Sequence, residues 1–360
     1  MAQIDAFLKL MIEKGASDLH LASGFQPLIR IYGDLEKVKY KILENEELKS
    51  LLYEITAEEK VKYFEENGDL DFAYEIAELG RFRVNYYQQL CGVGAAFRLI
   101  PSAIKTIDEM GLPQVLKRLA LLPKGLVIVT GPTGSGKSTT IAAILDHANR
   151  NRKDHIITIE DPIEFVHASN KCTIHHREVG RHTKSFSAAL RSALREDPDI
   201  ILVGEMRDLE TISLALEAAE TGHLVFSTLH TMSASKTVDR IIDVFPSEQQ
   251  AHLRVSLSES LRAVVAQNLF KRIDKPGRAA AFEILIATTA VRNMIRENKT
   301  YQIISSLQTG KKYGMQSLDD GIMELLQKKM IHPDEAYSKS LEKSKFLPFL
   351  KMLPSDFTEV

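Results

Sequence analysis

The sequence predicts an α/β protein in two parts: a smaller α+β domain over residues 1–100, a linker over residues 101–113, and a larger domain over residues 114–360. Two patterns support this division. Before Pro101, short strands separated by turn residues follow one amphipathic helix. From Lys124 onward, short apolar runs alternate with helical stretches, which is the order that builds a parallel sheet covered by helices.

The elements of the smaller domain begin with a helix whose apolar residues share one stripe: Ile4, Phe7, Leu8, Met11 and Ile12. A second helical stretch is expected at 45–65, with strands at 28–32, 69–76, 81–88 and 93–100. In the larger domain we expect strands at 126–130, 155–160, 200–204, 223–229 and 279–286. Helices are expected there at 114–122, 139–148, 291–297, 302–308 and 318–329.

Composition narrows the class of protein. With 44% hydrophobic and 26% charged residues among 360, the chain is an ordinary folded protein, and disordered or fibrous classes are excluded. A net charge of −2 provides no overall attraction to nucleic acid, so we expect no nucleic-acid partner. Cys91 and Cys172 are too few for a four-cysteine zinc site. No apolar run approaches about 18 residues, so we expect no transmembrane segment and a cytoplasmic location, peripheral to a membrane at most.

A glycine-rich turn between a predicted strand and a predicted helix is the strongest local signal. It fits the phosphate-binding pattern G-x-x-x-x-G-K-[ST] at every constrained position. Backbone N–H groups of such a loop converge on phosphate oxygens, while Lys137 adds a positive charge and the Ser138 hydroxyl can bind Mg2+. We therefore predict that ATP and Mg2+ bind here. The residues expected to contact nucleotide are Gly131, Pro132, Thr133, Gly134, Ser135, Gly136, Lys137, Ser138 and Thr139.

Carboxylates follow two other apolar strands. Glu205 ends the run that begins at Asp199 and could polarise the attacking water, but Gly204 occupies the position where many phosphate-binding-loop enzymes carry a metal-binding Asp. Metal ligation must then come from elsewhere. The run from Thr158 supplies Glu160, Asp161 and Glu164 as candidate Mg2+ ligands; a solvated acidic turn is the equally weighted alternative.

Two histidines, His223 and His230, bracket the predicted strand 223–229. A histidine at a strand end is usually a structural hydrogen-bonding group, but one that lies near a γ-phosphate could sense its presence. Both are therefore candidate nucleotide contacts. Their separation of seven residues is not a helical metal-ligand spacing, so zinc is not expected.

Taken together, these motifs resemble the secretion-type hexameric ATPases of the GspE/PilT family, most closely the branch that retracts type IV pili. The resemblance covers residues 4 to about 332. It includes residues 15–21, the glycine-rich Walker A loop (residues 131–138), an Asp box at 158–164, an atypical Walker B motif at 203–208 and a His box at 220–231. It also includes the motif associated with retraction, formed by Ala290, Val291, Arg292, Asn293, Met294, Ile295, Arg296 and Glu297.

The resemblance implies a PAS-like N-terminal domain, a RecA-like ATPase domain and a homohexameric ring with ATP between domains. It implies that Glu205 is the catalytic base and that Glu164 supports Mg2+ or water. Arg81, Arg83 and Arg98 match the family's arginines that neutralise γ-phosphate charge. Because alternate residues of a strand point the same way, Arg81 and Arg83 can act together.

The function implied is that of an ATP-hydrolysing motor that powers pilus retraction and twitching motility. Its expected partner is an inner-membrane pilus platform protein at the cytoplasmic face, with a paralogous retraction ATPase as a further possible partner. An accessory paralogue and a non-hydrolysing scaffold subunit remain alternatives. A pilus extension or type II secretion ATPase is disfavoured, because such relatives usually carry a four-cysteine zinc module and because Arg292 and Asn293 fit retraction.

The stretch at 171–195 departs from the family pattern and is locally basic, with His175 and His176 where Asn and Gln are expected. A solvated or inter-subunit face is favoured over a nucleic-acid patch because of the overall charge. A DNA translocase is accordingly disfavoured.

Overall fold

The computed structural model describes residues 2–31, 33–77, 79–100 and 103–350. These form two compact units. One comprises residues up to Ala103 together with Pro162–Val166, and the other comprises Ile104–Asp161 and the residues from His167 onward. Pro101 and Ser102 of the predicted linker and residues 351–360 of the predicted larger domain lie outside the described residues, as do Tyr32 and Glu78.

The first unit is built on an antiparallel sheet. Its strands lie in the order β3-β2-β1-β6-β5-β4, and each neighbouring pair is antiparallel. The elements are α1 (Asp5–Glu13), β1 (Asp18–Ala22), β2 (Leu28–Ile31), β3 (Asp34–Lys37), α2 (Asn45–Tyr53), α3 (Glu58–Asn67), β4 (Asp69–Ile76), β5 (Gly80–Gln89) and β6 (Gly92–Ile100).

The predicted apolar stripe of α1 is confirmed, because Ile4, Phe7, Leu8 and Met11 are buried in the core of this unit. The prediction of one continuous helical stretch at 45–65 was wrong. The stretch is two helices, α2 and α3, since the backbone at Ala57 is extended. The Thr56 hydroxyl donates to the carbonyl of Leu52, a local bond that competes with helix propagation.

The second unit contains a sheet in the order β13-β12-β7-β11-β10-β8-β9. Each neighbouring pair is parallel except β12 with β13, which is antiparallel. The strands are β7 (Gly125–Thr130), β8 (His155–Glu160), β9 (Thr173–Glu178), β10 (Ile200–Val203), β11 (Leu224–Thr228), β12 (Leu261–Lys271) and β13 (Arg278–Ile286). The predicted α/β class is thus confirmed, and the five predicted strands of this unit form, while β9 and β12 are additional.

Helices cover both faces of this sheet, and two separate apolar clusters fill the layers between helices and strands. The helices are α4 (Val115–Ala120), α5 (Lys137–Asn151), α6 (Phe186–Ala193), α7 (Leu209–Thr221), α8 (Ala234–Asp243), α9 (Ser247–Ser260), α10 (Thr289–Arg296), α11 (Ile303–Thr309), α12 (Leu318–Gln327) and α13 (Pro333–Lys339). Every residue of β7, β10 and β11 is buried, as expected for central strands covered on both faces. Within the described ranges, none of the helices has both the length and the apolar character needed to span a bilayer.

Candidate active site

The carboxyl ends of four parallel strands lie side by side along one side of the second sheet. We call this side the carboxyl edge of the sheet, and the side where these strands begin the amino edge. In spatial order these strands are β7, β11, β10 and β8. Because they run in the same direction, the residues that follow them lie side by side at that edge. The sheet therefore presents the Walker A loop, His230, Glu205 and Glu160 in a row, although these groups are far apart in the sequence.

The Walker A loop follows β7 and leads into α5. Gly131 has a φ of 138°, and a Cβ there would lie 2.3 Å from the backbone oxygen of Gln267. Gly136, the residue that caps α5, has a φ of 87°. Both positions therefore require glycine. Because a glycine caps the helix, no side chain satisfies the first N–H groups of α5, which favours binding of an anion.

Lys137 begins α5 and is buried. Its Nζ donates to the carbonyl oxygens of Gly131, at 2.9 Å, and Pro132, at 3.1 Å, and lies 3.4 Å from His230 Nδ1. Ser138 is half-buried, whereas Thr133, Gly134 and Thr139 are exposed. The buried Ser135 hydroxyl has no hydrogen-bond partner in the described part of the chain. The loop thus combines one positive charge with polar groups suited to phosphate.

Glu205 follows β10 and is mostly buried, with 18% of its side chain exposed. Its Oε1 forms an ion pair with Arg207 Nε at 2.7 Å, and its Oε2 lies 3.7 Å from His230 Nε2. His230 therefore lies between Lys137 and Glu205, with one ring nitrogen facing each. This arrangement places the lysine of the Walker A loop and a carboxylate on either side of one imidazole ring.

Gly204 has a steric reason for being glycine. A Cβ at this position would lie 3.2 Å from the carbonyl oxygen of Ile159 and 3.4 Å from the Cα of Glu160. The adjacent strand β8 therefore leaves little space for the Asp that is common at this position. The same strand end instead delivers Glu160, which is buried, and Asp161, which is exposed.

The available oxygen donors fit Mg2+ but do not form a complete cage. Across the described ranges, no group of three or more His, Cys, Asp or Glu side chains is placed to hold a metal ion. Mg2+ usually keeps several waters and binds one or two carboxylates together with substrate phosphates. The Ser138 hydroxyl and the carboxylates of Glu160 and Asp161 are consistent with that partial set of ligands.

The predicted arginines lie in the first unit. Arg81 and Arg83 are on β5 and Arg98 is on β6, where Arg83 and Arg98 are direct cross-strand neighbours. Arg98 Nε donates to Asp18 Oδ1 at 2.8 Å. Although burial alone would raise the pKa of Asp18, hydrogen bonds from Ser17 and Arg98 hold it below its usual value.

Two other predicted residues are Glu164, which belongs to the first unit, and His223, which lies where β11 begins. Glu164 lies in Pro162–Val166, which groups with the first unit, whereas Glu160 and Asp161 belong to the second. His223 precedes β11 and so lies at the opposite edge from the Walker A loop. Its Nδ1 is 2.9 Å from the carbonyl oxygen of Ala218. A nucleotide contact for His223 stays a prediction that this arrangement does not support.

Comparison with known proteins identifies the family. The family model described as "Type II/IV secretion system protein" matches residues 1–311. This chain belongs to that family. It is 54% identical to the Pseudomonas aeruginosa type IV pilus retractation ATPase PilT, over 94% of this chain and 98% of the relative. It is 51% identical to a Neisseria gonorrhoeae twitching motility protein, over 86% of this chain and 83% of the relative.

A solved structure matches over the same extent. It is the crystal structure of the pilus retraction motor PilT with bound ADP, with a TM-score of 0.87, 44% sequence identity, and coverage of 96% of this chain and 98% of that one. The family resemblance and the predicted fold class, a RecA-like ATPase domain after a smaller α+β domain, are therefore confirmed.

The predicted retraction motif, residues 290–297, lies largely in α10, which follows the carboxyl end of β13. Because β13 is antiparallel to its neighbour, this helix lies at the opposite edge from the Walker A loop. Val291 and Ile295 are buried and Met294 is half-buried, so these three apolar residues form the inner face of the helix. The remaining motif residues stay wholly or partly accessible: Ala290, Arg292, Asn293, Arg296 and Glu297.

Sequence reasoning missed Gln267, which lies on β12 and contacts the Walker A loop. Its Nε2 donates to the carbonyl oxygen of Ser135 at 2.7 Å, and its Oε1 accepts from the Thr140 hydroxyl at 2.7 Å. A buried amide in an apolar run gives no local signal of such a role, since its partners are 132 and 127 residues away along the chain.

Proposed function

We propose that this protein is the ATP-hydrolysing motor subunit that powers type IV pilus retraction. The observation that carries the proposal is the row Lys137, His230 and Glu205 at one edge of the parallel sheet. A lysine for phosphate and a carboxylate for the attacking water are groups that serve hydrolysis of a phosphoanhydride, and the histidine between them can link the two. The names of the similar proteins, a pilus retraction ATPase and a pilus retraction motor, support the same function.

In the proposed mechanism, the N–H groups of the Walker A loop and Lys137 bind the phosphates of ATP. Glu205 orients a water molecule and takes its proton, while His230 contacts the γ-phosphate and links its presence to Glu205. Mg2+, held by Ser138 with Glu160 and Asp161, would neutralise phosphate charge. We assign Glu164 a supporting role toward Mg2+ or water, and Arg81, Arg83 and Arg98 the role of neutralising γ-phosphate charge.

We further propose that six copies form a ring at the cytoplasmic face of the inner membrane. Closure around ATP and reopening after hydrolysis would then move a platform protein at the pilus base. The accessible residues of the retraction motif, Arg292, Asn293, Arg296 and Glu297, are the proposed contacts for coupling, because the buried face of α10 anchors the helix.

Glu205→Gln tests the hydrolytic part of the proposal. Removing the base is expected to lower kcat by about 10²–10⁴-fold while ADP binding stays within twofold. The matched control is Glu210→Gln on the exposed first turn of α7, which should hydrolyse Mg-ATP at the wild-type rate. Wild-type turnover by Glu205→Gln would refute the assigned base, and no turnover by the unaltered protein would favour the scaffold alternative.

Deletion of the gene tests the cellular role. Loss of retraction should leave cells with excess pili and no twitching, and Glu205→Gln should fail to restore motility whereas Glu210→Gln restores it. Cells without pili would indicate extension instead.

A further inference from the structure

Gln267 joins the Walker A loop to its neighbouring strand. β12 pairs with β7 in parallel, and Gln267 lies just beyond the last paired position, Ala266 with Thr130. Its side chain is buried, with the residue 3% exposed. The carboxamide spans from the loop carbonyl of Ser135 to the hydroxyl of Thr140 in the first turn of α5, with both hydrogen bonds at 2.7 Å.

The backbone and side chain of Gln267 also limit both ends of the loop. A Cβ on Gly131 would lie 2.3 Å from the Gln267 backbone oxygen, and a Cβ on Gly136 would lie 2.9 Å from its Nε2. One residue of β12 therefore contacts the start of the loop, its last turn and the helix that follows. The two glycines fit against Gln267 as well as against a phosphate.

The chemistry of the two hydrogen bonds is specific to an amide. The Ser135 carbonyl can only accept, so the Gln267 nitrogen must face it and the Gln267 oxygen must face Thr140. Glutamate would place a carboxylate oxygen against the carbonyl, and methionine would remove both bonds at similar volume. Leaving the buried Ser135 carbonyl without its donor would release this turn from β12.

We propose that Gln267 is a positioning residue that holds the Walker A loop in its phosphate-binding conformation. The inference deepens the proposed function and rests on it. Gln267 acts through the loop, since its side chain bonds Ser135 and Thr140 rather than Glu205 or His230. Its loss weakens nucleotide binding and leaves the chemical step largely intact.

The test uses the full-length protein and compares Gln267→Met with Gln267→Glu. Both should raise the Kd for ADP, measured by calorimetry, and the KM for ATP by about tenfold, with kcat reduced by no more than about threefold. A role in stability alone would lower the melting temperature without this split between KM and kcat. ADP binding by Gln267→Met within twofold of wild type, or a fall in kcat that matches the rise in KM, overturns the proposal.

Thr140 provides a second, milder pair of variants in case Gln267→Met does not fold. Thr140→Val removes the hydroxyl that fixes the amide and should raise the Kd for ADP about threefold, whereas Thr140→Ser keeps it and should match wild type. Equal ADP binding by Thr140→Val and Thr140→Ser overturns the proposal. Because calorimetry with ADP does not require turnover, an inactive wild-type protein would refute the proposed ATPase function separately.

Discussion

The two edges of the parallel sheet carry similar residue types for different purposes. At the carboxyl edge, Lys137 and His230 face each other beside a glycine-capped helix start and the carboxylate of Glu205. At the amino edge, Lys124 Nζ donates to the carbonyl oxygen of Glu220, and His223 bonds the carbonyl oxygen of Ala218. Strand direction, rather than residue type or membership of a motif, therefore determines which lysine and which histidine lie beside the glycine-rich loop.

Replacing Lys137 and Lys124 in turn is expected to show the largest difference between the two edges in nucleotide binding. Lys137→Ala should weaken ATP and ADP binding on the order of a hundredfold, because a hydrogen bond to a charged group contributes about 1.5–3 kcal/mol. Lys124→Ala should bind nucleotide within twofold of wild type, since its exposed side chain donates to a carbonyl oxygen near the end of α7. Calorimetric titration with ADP measures both. Equal losses in the two variants would contradict the assignment of the site to one edge.

The two histidines give a smaller, matched contrast. His230→Ala should lower kcat by about tenfold, the scale of one interaction of ~1.4 kcal/mol made in the transition state. His223→Ala should retain kcat within twofold. Its free energy of unfolding should fall by about 1 kcal/mol, because the substitution removes one structural hydrogen bond. Steady-state kinetics and urea unfolding give the two readouts. A tenfold loss of kcat in His223→Ala would show that the amino-edge histidine reaches nucleotide in the assembled protein.

A third histidine, His167 in the β8–β9 connection, should make the free energy of unfolding depend on pH below neutrality. It should have no part in ATP hydrolysis. Burial, aided by the nearby His176, lowers the pKa of His167 to about 4. The unfolded chain then binds the proton more tightly than the folded chain, so stability present above about pH 6.5 is lost as the pH falls toward the folded pKa.

Between pH 7 and pH 5.5 this effect amounts to about 1 kcal/mol. His167→Phe should remove that part of the pH dependence, which urea unfolding at the two pH values measures. The rate of ATP hydrolysis at pH 7 should be unchanged. An identical pH dependence in the variant would show that His167 is not the titrating group.

The sequence was sufficient to predict a motif, helix or strand wherever the pattern that indicates it lies within one short segment. The glycines and Lys137 form one contiguous pattern, and the apolar stripe of α1 and the five apolar strands of the second unit follow simple periodicities. β9 was missed because its residues, Thr173–Glu178, are largely polar, as an edge strand permits. β12 was missed although its run is apolar, since such a run after a helix does not by itself separate strand from helix.

What the sequence did not reveal concerns partners distant in sequence. Gln267 and Thr140 meet only because β12 pairs beside β7, and no spacing rule connects them. His223 and His230 belong to one motif, and the five-residue strand between them places them at opposite edges. The three carboxylates predicted as one Mg2+ cluster divide between two units, because the chain after Asp161 leaves the second unit at Pro162 and rejoins it at His167.

The crowding at Gly204 has a mechanical consequence. With little space for an aspartate beside Glu205, the acidic groups come from two neighbouring strands instead of one. The parallel pairing of β8 with β10, which places Ile159 beside Val203, then sets the separation of these groups. A misplacement of about 1 Å can cost a hundredfold in rate. A substitution that shifts the pairing of β8 with β10 is therefore expected to slow hydrolysis even where every acidic side chain is kept.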